Sequence, residues 1–169
     1  MNVLDIQDLF VCDSTSPWVG TPLNDFYLLN PKAKGLQGEK ITASLLTVLG
    51  YKVEFNTTAD KDYDLIVNGK KTEVKFSLSS KRNYNWEFTF NHIGFKKKWD
   101  QIIFVGINGD MNIHITKYNK EDIPFELFSP QQGGKKGNND DFMSAGKKST
   151  ILLAGGKCIL NGMGENSEY

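Results

Sequence analysis

Apolar positions along this chain recur at two spacings, and the switch between them marks out the elements. Ile41, Leu45, Val48 and Leu49 fall on one stripe at helical spacing, and Gly50 follows as a stop, which predicts a helix over residues 38–49. The period then shortens to that of strands. Residues 52–55, 63–67 and 71–77 read as strands, and Asn68-Gly69 between the last two is a hairpin turn. The uninterrupted apolar run 101–107 predicts a strand buried on both faces. Asn108-Gly109-Asp110 turns the chain into a further strand over 111–118. Residues 86–91 alternate like a strand, and 93–99 reads as a candidate helix.

The ends are patterned differently. Residues 1–36 are rich in loop formers, Pro17, Gly20, Pro22, Pro31 and Gly35 among them, with Trp18 and Phe26 as anchors and a short helix over 4–10. Residues 129–149, with Gly133-Gly134-Lys135-Lys136-Gly137, are too polar to pack and read as a long mobile loop. Helix, strand, hairpin and further strands in this order predict one α/β domain over 1–169, a mixed central sheet flanked by helices. The catalytic core of that domain is expected over 37–118.

Composition bounds the function. In 169 residues, 39% hydrophobic, a core is sustainable. No apolar run is long enough to span a membrane, and the acidic start does not read as a signal peptide, so a cytoplasmic protein is expected. Cys12 and Cys158 then read as reduced thiols, and two histidines with no C-x-x-C pair argue against structural zinc. Net charge is zero, but it is unevenly spread. Residues 1–69 carry 5 Lys against 9 acids, whereas 70–148 carry 14 Lys plus Arg against 9 acids. A basic middle suits phosphate contact, and a solvated lysine-rich surface explains the charge equally well.

The chemistry concentrates in 64–75. Residues two apart on a strand share a face, so Glu73 and Lys75 point one way while Thr72, Val74 and Phe76 point the other. The Asn68-Gly69 turn folds Asp64 back beside them. Two carboxylates and an ammonium at a hairpin end can hold magnesium against a phosphodiester, the lysine positioning or helping to activate the attacking water. An acid-x-Lys pair is often only a solvated hairpin face. Here Glu73-Val74-Lys75 is the one place in the chain where Lys follows an acid by two residues, and Glu39 lies at the start of the preceding helix.

Gly38-Glu39-Lys40, Asp64 and Glu73-Val74-Lys75 together resemble the PD-(D/E)xK nuclease superfamily, which includes many type II restriction endonucleases. The likeness covers about residues 37–118. It implies a restriction-endonuclease-like core, with Asp64 and Glu73 as ligands of Mg2+ (Mn2+ substituting), Lys75 as the catalytic lysine and Glu39 as an accessory acid. The motif proline is absent: Tyr63 precedes Asp64. Asp62 shares a strand face with Asp64 and is an alternative ligand; Asp64 is preferred because it abuts Leu65-Ile66-Val67.

The resulting expectation is a site-specific endonuclease acting on double-stranded DNA, homodimeric on a palindromic site, prokaryotic or phage-encoded. A junction-resolving or repair nuclease and an inactive DNA-binding module of the same fold are the rivals. Lys81, Arg82, Asn83 and Asn85 are candidates for base contact, and Lys96, Lys97, Lys98, Lys135 and Lys136 for backbone contact, though each is equally at home on an ordinary surface. Asn91-His92 with His114 alone lacks the ligands of an HNH-type centre, and Gly133–Asn139 lacks the P-loop pattern.

Overall fold

The structure, a computed structural model, describes residues 18–59, 62–82, 85–130, 143–146 and 148–161. The expected helix over 4–10, Asn83, Lys135, Lys136 and Cys12 lie outside these residues, and Cys158 is a free exposed thiol.

Among the described residues two helices precede the sheet. α1 (Asn24–Leu28) is short, and α2 (Pro31–Val48) begins seven residues before the start at 38 that the pattern predicts. The start is set by chemistry rather than periodicity: Asn30 accepts the Ala33 amide at 3.0 Å, and Pro31 opens the helix where its missing N–H costs nothing. Thus 18–36 is less loop-rich than its prolines and glycines suggest. The far end is as expected, with Gly50 at φ +85° beyond the last turn.

The central sheet has six strands in the order β1-β2-β3-β7-β8-β11. They are β1 (Val53–Phe55), β2 (Leu65–Val67), β3 (Lys70–Leu78), β7 (Gln101–Ile107), β8 (Ile113–Asn119) and β11 (Lys157–Asn161). β3 and β7 run parallel and the other neighbours antiparallel, giving the mixed sheet that the order of elements predicts. Asn68 and Gly69, both at positive φ, make the β2–β3 turn tight. All seven residues of β7 are buried, as its unbroken apolar run requires.

Each face of the sheet has its own core. Ala43 and Leu46 of α2 pack on Leu65, Val67, Val74, Ile103, Val105 and Ile115. On the other face Phe88, Phe90, Ile93, Trp99, Ile102, Phe104 and Tyr118 cluster with Leu152 and Leu153 of α3 (Ser149–Gly155). Trp18 is fully buried and Phe26 stacks edge-on against Phe76 at 5.1 Å, so both expected anchors pack. Among the described residues no helix is long and apolar enough to cross a membrane.

The crossover from β3 to β7 departs from expectation. It holds a two-stranded ribbon, β4 (Ser80–Arg82) with β5 (Asn85–Glu87), and then β6 (Phe90–Ile93). β6 belongs to a small sheet with β9 (Ser129–Pro130) and β10 (Met143–Ala145), so the expected 129–149 loop begins in one strand, holds a second at 143–145 and ends where Ser149 opens α3. Residues 93–99 are not a helix. A turn forms there because Trp99 Nε1 and the Lys97 amide both donate to the Gly94 carbonyl, at 2.9 and 3.2 Å.

Candidate active site

The site grows from unequal strand lengths. β3 has nine residues but β2 has three, and their pairing covers only Lys70 to Thr72. Among the described residues β3 pairs from Glu73 onward with β7 alone, which leaves its other edge open there. Asp64, just before β2, fills the first gap: its amide donates to Thr72 O at 3.0 Å, and its Oδ2 accepts the Val74 amide at 2.8 Å. A lone carboxylate thus caps a strand N–H that has no strand beside it.

Glu73 and Lys75 project from the face opposite α2 and bond at 2.7 Å through Glu73 Oε1. Glu73 is 1% exposed. A second ammonium, Lys97 Nζ, approaches the same oxygen at 3.6 Å from the Gly94–Trp99 turn. Glu73 Oε2 is buried and accepts no hydrogen bond from the described residues. The Asp64 carboxyl is pushed above its ordinary value, first by burial and next by the Glu73 charge; the Val74 amide and the two lysines partly offset this.

These groups share a cleft of about 570 Å³. Glu39, Lys34 and Gly35 of α2 line it, together with Asn91, His92 and Lys97. Close packing brings α2 there, because a Cβ on Gly38 would lie 2.6 Å from Phe76 Cβ. Glu39 therefore lines the cleft, yet no group of three His, Cys, Asp or Glu among the described residues is placed to hold a metal. Of the two aspartates that the sequence offers, Asp64 lines the cleft and Asp62 does not.

The three-lysine run divides. Lys96 and Lys98 are exposed, and Lys97 turns inward to Glu73. Sequence spacing could not show this, since it depends on a turn fixed by Trp99. Lys81, Arg82 and Asn85 stand on the β4–β5 ribbon that leaves the end of β3. Asn91 and His92 are exposed where the β6–β10 register slips, with His92 at φ +56°. Positive φ in a non-glycine residue beside an irregular strand pairing is a feature that gathers at functional sites. His114 instead packs edge-on at 6.1 Å from Phe88, away from the cleft.

No family model matches the chain, and no curated protein matches it in sequence. Among solved structures it is similar to the bacterial homing endonuclease I-Ssp6803I. Identity is 12%, the match covers 75% of this chain and 95% of that one, and the TM-score is 0.37.

Proposed function

We propose that the chain is a magnesium-dependent endonuclease of the PD-(D/E)xK class that hydrolyses phosphodiester bonds in double-stranded DNA. The observation that carries this reading is the convergence of Asp64, Glu73 and Lys75 on the edge of β3, with Glu73 Oε2 buried and without a partner among the described residues. A buried carboxylate oxygen without a donor is costly, and a hard cation is the partner that would satisfy it.

The donor set fits magnesium, which takes one or two carboxylates and fills its remaining positions with water and phosphate oxygen. Asp64 and Glu73 would hold it. Bound there, it would supply a Lewis acid and lower the pKa of a bound water. The side chains do the rest. Lys75, fixed on Glu73, reaches from β3 toward the attacking water. The Val74 amide keeps Asp64 aimed into the cleft.

Site-specific cutting, as in type II restriction enzymes, is the finer proposal, with a homodimer presenting two clefts to a palindrome. The β4–β5 ribbon supports it, because a two-stranded ribbon fits the major groove, where base edges are distinguishable. Incubation with long duplex DNA, four-way junctions and Mg2+ tests the whole reading. Discrete bands that vanish with a chelator are expected. Junction cleavage with intact duplex would replace site-specific cutting by structure-specific cutting. No cleavage of either substrate overturns the reading.

A further inference from the structure

The catalytic proposal leaves the second cation on Glu73 without a role. We infer that Lys97 is a second catalytic lysine, which contacts the scissile phosphate and offsets the negative charge that builds on it. This inference rests on the nuclease reading.

The argument begins with how firmly Lys97 is placed. Its carbonyl accepts from Lys120 Nζ, whose ammonium also lies 4.5 Å over the Trp99 ring. Its amide and the Trp99 indole share the Gly94 carbonyl. The side chain passes over Gly94, where an added Cβ would come within 3.0 Å of Lys97 Cδ. Ordering a lysine stem gives up rotamer entropy, and a charge serving only solubility has no need of this support.

Position and charge supply the function. Lys97 reaches Glu73 from the Gly94–Trp99 turn, while Lys75 reaches it from β3 itself, so two ammoniums from different elements share one carboxylate oxygen. Lys97 sits at 3.6 Å, farther than Lys75, is 28% exposed and lines the cleft. Asp64 and Glu73 bring two negative charges, and Lys75 and Lys97 two positive ones. Attack on a phosphodiester adds negative charge to its oxygens, and a fixed ammonium facing them favours the transition state over the ground state. The lysines then divide the labour: Lys75 serves the water and Lys97 the phosphate.

Three measurements on the full chain test this, using Lys97→Met and Lys97→Gln with circular dichroism confirming that each folds. Single-turnover cleavage should fall about 100-fold or more. Affinity for the same duplex in calcium should stay within about threefold. Without DNA, Mn2+ titrated calorimetrically should bind roughly threefold or more tightly, because a cation competing for Glu73 has gone. A rate within threefold of wild type, or a rate loss matched by lost DNA affinity, overturns the role. Weaker Mn2+ binding overturns it too, since Lys97 would then be a prop for Glu73. If wild type itself cuts neither duplex nor junction, the nuclease reading fails along with it. Wild-type cutting matched by both variants removes Lys97 alone.

Discussion

Burial of Glu73 takes a carboxylate out of water, and the two ammoniums on Oε1 offset only part of the cost while Oε2 meets no donor among the described residues. Asp64 shares the strain, its carboxyl raised by burial and by the Glu73 charge. A carboxyl with a folded-state pKa above the unfolded one opposes folding above the folded value, and that opposition disappears below the unfolded value. Asp64→Asn should therefore hold the metal-free Tm or raise it, by up to about 4 °C at neutral pH. That advantage should shrink as pH falls toward the ordinary carboxyl range, as scanning calorimetry across pH would show. A variant that loses its circular dichroism instead would make Asp64 a structural residue. Cleavage should be lost in Asp64→Asn and in Glu73→Gln. Lys75→Ala should slow single-turnover cutting about 100-fold or more with DNA affinity in calcium little changed, and near wild-type cutting would reject its assignment.

Two elements have consequences that a melting curve can read. The α2–β3 contact is so close that Gly38→Ala must push the helix off Phe76, which has no rotamer that moves its Cβ. A loss of about 1–3 kcal/mol is expected, with cleavage falling further than stability because Glu39 moves with the helix. On the sheet, β11 sets Lys157 directly opposite Lys117, whose pKa is lowered by burial and then by Lys157 and Lys70. Lys157→Glu should raise Tm by about 1–3 °C and reduce the gain that salt gives the wild type. At this scale the sequence is readable where one face decides the pattern. The Asn68-Gly69 turn and the 101–107 run each encode their element locally, whereas the Ile41–Leu49 stripe finds the helix but not its packed face, which is Thr42, Ala43 and Leu46 while Val48 and Leu49 are exposed. Residues 93–99 mislead, because the turn there depends on Trp99 reaching back to Gly94. β11 has no signal of its own: it forms by pairing with β8, distant in sequence. The same reason hides the inward course of Lys97, whereas Asp64, Glu73 and Lys75 were legible because a single hairpin brings them together.

For the whole molecule, the site-specific reading requires two clefts acting on one duplex. Gel filtration with light scattering should report two chains per particle, and plasmid DNA should pass through a nicked form only briefly on its way to linear product. Persistent nicked circles from a monomer would reject paired cutting while leaving hydrolysis intact. A different consequence follows from β7. Its seven residues, Gln-Ile-Ile-Phe-Val-Gly-Ile, carry no charge and no proline, and in the native sheet β3 and β8 cover both edges. Once the sheet opens, this segment is a strong seed for cross-β stacking between chains. Heating past Tm should therefore end in precipitate rather than a reversible coil, with a second scan recovering little of the first transition. A synthetic peptide of residues 101–107 should form thioflavin-binding fibrils, and Phe104→Lys in that peptide should abolish them.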